Sequence, residues 1–541
     1  MGRLFPSGKQ TVRQASVFLA IASLMSNALG LIRNWLFFRL LDPNTLDSYS
    51  ASFRVADFLF SFVIVAAVTS TIVPALSEKV TQKDKAAAHK LTNSLISWSL
   101  LIFCTLSLVL FFSMHYLVMT KIAPGYSNEK QILITNSAQI LLLQPIIFST
   151  SFILGGLLNA QQRFTSFALA PLAYNASIII GAILAHFYGL LALSWMVVLG
   201  SALHLCIQYT AARKTGWIPQ FTLDKSKELT RIALDTLPRS ISLGSAQLIT
   251  TTFTSLISTM RSGALAVFTG INDLQTTPIA VVGSSLGTAM LPTLSSQASL
   301  GDLRGMSSLF DKALRSALFV MLPVLTLMYV LRAQIVRLYV GIGHFDWELT
   351  IIAIQTLVAF LVGILFAILA AVLTRIFFAL KENKTPAIVS VTTAVLVIVA
   401  AQIGVRYYAQ GVPYLALLDS LMMVAQAIWL FTVLHRRNHL ELSLSHLGSS
   451  FVKYGVGALA SAGVAWATLY AMDRIYTSIG TTWLSTTTIL GLFVQLLVAG
   501  LAGTLTYFAY SWNSCNVELQ WILKSLSLKK PKPTAPPTEA A

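Results

Sequence analysis

Charged side chains are what this chain most lacks. They make up 11% of its 541 residues, where soluble globular domains carry roughly 25%. With 55% hydrophobic residues and a mean hydropathy of +0.73, this excludes a soluble enzyme and leaves an all-α integral membrane protein. Acids are scarcer still, 20 Asp and Glu against 37 Lys and Arg. The net charge of +17 does not imply nucleic acid, because the cations lie in short loops between apolar runs. Cysteine is nearly absent. Cys104, Cys206 and Cys515 have neither pairing nor metal-ligand spacing and read as small apolar side chains. No HExxH, Walker or CxxC motif occurs. The expectation is a transporter without cofactor, metal or catalytic motif, driven by an ion gradient, the membrane potential or the substrate gradient.

What is abundant is long apolar runs. About fourteen are long enough to span a bilayer: 14–40, 48–77, 91–118, 131–155, 165–186, 189–212, 232–259, 263–297, 314–340, 348–378, 385–406, 411–435, 450–472 and 482–513. Lys and Arg crowd alternate loops, among them Lys79, Lys83, Lys85, Lys90, Arg213, Lys214, Lys225 and Lys227. That bias predicts cytosolic N- and C-termini. VTSTIVPALSEK (68–79) and LGTAMLPTLSSQ (286–297) share a Pro-x-Leu-Ser core six spans apart, the pattern of a parallel internal repeat. The implied plan is a six-helix bundle over 1–212, a polar cytosolic linker over 213–231 and a second six-helix bundle over 232–435. Two further helices over 450–513 and a disordered basic, Pro-rich tail over 514–541 complete it. The linker is long enough for a short interfacial helix.

A few charges break the apolar runs. Arg33 lies inside span 1, and Asp47, Arg54 and Asp57 follow on one face of span 2. A guanidinium at bilayer depth costs at least roughly 2.5 kcal/mol, so it is kept for pairing or for handling charge. One reading is internal pairing, Asp57 with Arg54 or Asp47 with Arg39. The other is a wet, anion-attracting cavity in which Arg33, Arg54 and Arg39 grip phosphate. Asp57, Asp273 and Asp419 are the candidates for ion coupling.

SNALGLIRNWLFFRLLDPNTLDSYSASFRVADFLF (26–60), VPALSEK (73–79), IAPGY (122–126), NAQQRFTSFALAPLAYN (159–175) and SLGTAMLPTLS (285–295) occur in that order. Through them the chain resembles the MurJ (MviN) family. The resemblance implies the multidrug/oligosaccharidyl-lipid/polysaccharide exporter fold, with bundles around a central cavity. It also implies flipping of lipid II, the undecaprenyl-pyrophosphate-linked peptidoglycan precursor, to the outer leaflet of the bacterial plasma membrane. Arg33, Asp47 and Arg54 match family cavity positions; Asn27 and Asn34 stand where the family usually has arginine and aspartate. Asn272-Asp273 replaces a usual Asp-Arg pair. The partners implied are lipid II, membrane lipids and proteins of cell-wall synthesis, for a chain acting as a monomer. The alternatives are a flippase for another polyprenyl-pyrophosphate-linked glycan, or a cation-coupled small-molecule antiporter.

Overall fold

A computed structural model describes residues 12–61, 71–341, 343–380, 382–437, 444–479, 485, 488–514 and 518. The middle of predicted span 2 (62–70), Cys515 and nearly all of the predicted tail lie outside these residues. Among the described residues there is no strand. The chain runs through α1 (Val12–Leu40), α2 (Pro43–Leu59), α3 (Val73–Thr81), α4 (Lys85–Leu117), α5 (Asn128–Leu141), α6 (Leu143–Ala160), α7 (Phe164–Tyr188) and α8 (Leu190–Arg213). It continues through α9 (Lys227–Ile257), α10 (Ala264–Ser299), α11 (Leu303–Val330), α12 (Arg332–Tyr339), α13 (Trp347–Ala379), α14 (Lys384–Tyr408), α15 (Val412–Arg436), α16 (Leu444–Ile479) and α17 (Ile489–Ser514). Among the described residues, 10 helical segments are long and apolar enough to cross a membrane. The predicted spans outside that set are α1, α2–α3, α9 and α10. They carry Arg33, Arg54, Arg239 and Asp273.

Several scarce acids are spent at helix starts. Asp42 caps α2, accepting from the amides of Asn44 and Thr45 with Pro43 in the first turn, so this helix starts earlier than the predicted 48. Asp84, Asp302 and Asp346 cap α4, α11 and α13 in the same way. Such caps are worth about 1 kcal/mol each. Predicted span 9 (314–340) is two helices, α11 and α12, meeting at Leu331. The linker is not helical over 217–226. Side chains of α4 take its backbone groups instead: Asn93 Nδ2 donates to Ile218 O at 2.9 Å, and the Thr222 amide donates to Ser97 Oγ at 2.9 Å.

The chain divides into two compact units, 1–301 with 336–439 and 302–335 with 440–541. In the second, α16 and α17 pack on each other and on α11. Tyr507 Oη donates to Phe319 O at 2.8 Å, and Ser461 Oγ donates to Gly503 O at 2.7 Å. In the first unit, α7 packs on α8 and α1, while α6 packs on α8 and α4. On the other side of the repeat, α13 packs on α15 and α10, and α14 on α9. Between these two groups of helices, α2 meets α9 and α10, and α1 meets α10.

Close helix crossings replace the scarce polar contacts. At Gly363 of α13 an added Cβ would lie 2.7 Å from Ser420 Cα of α15, and Ser420 Oγ donates to Ala359 O at 2.8 Å. This is small-residue packing of membrane helices. Gly363→Val is expected to destabilise the fold by roughly 1–3 kcal/mol through overpacking. Thermal unfolding in detergent checks this. Gly455→Val, where a Cβ meets nothing within 4 Å, is the neutral control; an equal effect at both positions would contradict the close crossing.

Candidate functional site

Half-buried charges collect where α1 and α2 meet α10. Arg33 Nε donates to Asn34 Oδ1 at 3.0 Å, and its Nη1 donates to Asn175 Oδ1 of α7 at 3.2 Å. Asn175 is held in turn, its Nδ2 donating to Ser26 Oγ and to Pro171 O, each at 3.2 Å. Asn34 Nδ2 donates to Asp273 Oδ2 of α10 at 2.8 Å. On α2, Arg54 Nη2 lies 3.7 Å from Asp57 Oδ2, one helical turn away, while its Nε donates to Ser50 O at 3.0 Å.

Asp273 feels both guanidinium groups, and Asp57 and Asp273 feel each other. The hydroxyls of Tyr49, Tyr174 and Tyr339 lie in the same field. Two arginines and two aspartates make a formally neutral cluster. Neutrality is what a buried site requires, because an unpaired charge at bilayer depth is expensive. The two arginines are not held alike. The hydrogen bonds of Arg33 go to neutral amide oxygens, and among the described residues no carboxylate takes up its fork directly. A planar cation held this way is suited to a bidentate anion such as phosphate.

Not every residue expected in this cavity meets the cluster. Asn27 is half-buried on α1, two turns before Asn34. Arg39 is exposed, its guanidinium 5.5 Å from the Trp35 ring centre. Asp47 is fully buried and faces elsewhere. Its Oδ2 accepts from Lys130 Nζ at 3.1 Å and from the Gly263 amide at 2.8 Å; its Oδ1 accepts from the Ala266 amide at 2.9 Å. It therefore caps the start of α10 from another helix, where the amides and the helix dipole favour an anion. Gly263, at φ +87°, makes the left-handed turn that aims those amides. Of the two pairings expected from the sequence, Arg54–Asp57 forms, and Lys130 takes the place of Arg39 beside Asp47.

Asp419 lies on α15 within hydrogen-bonding reach of Gln275, which donates to Asn272 Oδ1 at 3.0 Å. It is thus linked to α10 next to Asp273, through neutral groups. Among the described residues no three of His, Cys, Asp and Glu converge as a metal site would need. Sequence reasoning missed Asn175 and Lys130. The signal for Asn175 was its position one turn after Pro171, a polar side chain within an apolar run, and its Nδ2 reaches back to Pro171 O. Lys130 read only as a loop cation.

The profile of the family described as "Lipid II flippase MurJ" matches residues 40–483. A "Probable lipid II flippase MurJ" of Rhizobium tropici is 24% identical over 534 residues, covering 95% of this chain and 96% of that protein. "Lipid II flippase MurJ" of Burkholderia cenocepacia is 24% identical over 390 residues, 70% of this chain and 74% of its own. Among solved structures, "Lipid II flippase MurJ, inward closed conformation" superposes with a TM-score of 0.72 at 22% identity, over 94% of this chain and 99% of that one. An inward-facing multidrug resistance MATE family transporter of the MOP superfamily gives 0.66 at 17% identity, over 78% and 98%. These likenesses share the all-helical fold described above.

Proposed function

The chain belongs to the lipid II flippase MurJ family, and on that premise we propose how its buried charges carry a pyrophosphate across the bilayer. It is a multi-pass bacterial membrane protein that flips lipid II for peptidoglycan synthesis. Arg33 and Arg54 grip the pyrophosphate, with Asn34 and Asn175 orienting the first of them. The observation that carries this reading is the neutral Arg33, Arg54, Asp57 and Asp273 cluster. Asp57 beside Arg54 and Asp273 on Asn34 compete with the phosphates for this field. Arriving pyrophosphate displaces Asp273, and the Asn34–Asp273 bond between α1 and α10 gives way. Binding is thereby coupled to movement of α10 against α1, the differential contact that alternating access needs.

The lysine-rich helix ends face the cytosol in this proposal, supported by the loop charge bias. Asp57, Asp273 or Asp419 takes up the coupling ion once freed from its partner, with the gradient or the membrane potential supplying the drive. Another polyprenyl-pyrophosphate glycan would meet the same arginines. A cation antiporter is not favoured by a cluster whose cations equal its anions.

Native mass spectrometry with lipid II and a lipid monophosphate tests the competition. Asp273→Ala is expected to raise retention of lipid II several-fold, because it removes the resident anion. A fall in retention would contradict the displacement step. Orientation is checked separately with single cysteines at Asp42 and Lys85 in a cysteine-free background. An impermeant thiol reagent applied outside is expected to label the first and spare the second; the reverse would invert the topology.

A further inference from the structure

A cavity of about 570 Å³ lies away from the charge cluster, between α4, α6 and α9 and under the linker. Its volume falls within the roughly 300–1,000 Å³ of ordinary ligand pockets. Ile72, Phe103, Ile153, Leu229, Ile232 and Leu237 are among the apolar side chains that line it. Most of the polar groups along it are already bonded within the protein. Ser99 Oγ donates to Ile96 O, Ser149 Oγ to Ile146 O and Thr236 Oγ1 to Ile232 O. Trp98 Nε1 donates to Asp224 O at 2.9 Å. Water needs two to four polar partners to settle in a cavity, and these walls offer few. The space suits an apolar chain.

One end differs. There the linker brings Asp224, Lys225 and Ser226 to the mouth. Lys90 pairs with Asp224 at 3.5 Å, and nearby Lys79 pairs with Glu228 at 3.1 Å. Lys225 is exposed and, among the described residues, forms no ion pair with a carboxylate. The balance at the mouth is one uncompensated cation above an apolar shaft. That combination fits an amphipathic anion whose tail enters and whose head stays at the membrane surface.

We propose that this cavity holds one acyl chain of an anionic phospholipid from the leaflet on the lysine-rich side, with its headgroup against Lys225. One wall, α9, opens the second half of the repeat; the others, α4 and α6, belong to the first. Thr71 and Thr236 share a hydrogen bond of 2.9 Å across that boundary. A chain lodged here binds the arrangement in which α9 lies against α4 and α6, so the lipid favours that arrangement. The site is separate from the grip on pyrophosphate and does not depend on it.

The test uses phosphatidylglycerol and phosphatidylcholine carrying a diazirine near the acyl terminus, crosslinked to the full chain in nanodiscs and mapped by peptide mass spectrometry. Phosphatidylglycerol is expected to label peptides of 95–103 and 229–240 above other lipid-facing helices. Ala233→Trp, which narrows the cavity, should cut that labelling several-fold. Lys225→Glu should lower the phosphatidylglycerol preference by at least about fivefold per charge lost while leaving phosphatidylcholine labelling unchanged. Label spread evenly over the lipid-facing surface, or indifferent to both variants, overturns the proposal. Displacement of the label by a polyprenyl phosphate but not by unlabelled phosphatidylglycerol would overturn it too, by assigning the cavity to a polyprenyl chain.

Discussion

Arg33→Ala is expected to weaken retention of lipid II by roughly 10- to 100-fold, since hydrogen bonds to charged groups contribute roughly 1.5–3 kcal/mol. The arginine is the cation of the cluster whose hydrogen bonds go to amides and not to a carboxylate. Removing it leaves Asn34 still bonded to Asp273, so the helices keep their contact while the anion loses its fork. Insertion and folding should therefore be preserved, which size-exclusion profiles in detergent check. Arg33→Lys should recover only part of the loss, because an ammonium keeps the charge but not the planar pair of donors. Full binding by Arg33→Ala would remove the grip from the mechanism. Full recovery by lysine would reduce it to a point charge.

Asp47→Ala is expected to act on the fold. It would leave half-buried Lys130 with Asn44 Oδ1 but without its anion, and the Gly263 and Ala266 amides without their acceptor. Breaking a buried pair by removing one partner costs roughly 3–5 kcal/mol, a large share of a total stability of about 5–15 kcal/mol. A marked fall in the thermal midpoint in detergent is the expected reading. Lys130→Met added to Asp47→Asn should recover part of it, since the second change removes the stranded cation and asparagine still accepts one amide hydrogen bond. A different result would restore the cavity role that the sequence suggests for Asp47. In that case the alanine variant would melt like the wild type and lose lipid II.

The membrane helices are legible in the sequence because twenty-residue apolar runs admit few other structures. Their ends and breaks are less so. The start of α2 depends on a cap made by Asp42, and the division of α11 from α12 at Leu331 leaves no apolar gap to read. The non-helical path of 217–226 depends on hydrogen bonds with α4, more than a hundred residues earlier. Within the site, Arg33, Arg54 and Asp57 stand out because charge in an apolar run is costly. Their partners are harder to see. Asn34 meets Asp273 across 239 residues, and Arg33 meets Asn175 across 142. Asparagine within a helix carries no charge signal of its own. Asp47 shows how local spacing misleads: Arg39 is nearer in sequence, yet the amides at the start of α10 turn the carboxylate toward Lys130.

The most direct test of the central claim is transport itself. Proteoliposomes holding lipid II would be assayed with an impermeant enzyme that cleaves only the headgroup exposed outside. Wild-type protein is expected to bring the protected pool to the outer face, and Arg33→Ala with Arg54→Ala to leave it protected at the rate of empty liposomes. Equal translocation by both proteins would contradict the account, because the cargo would then cross without the two arginines that are proposed to hold it.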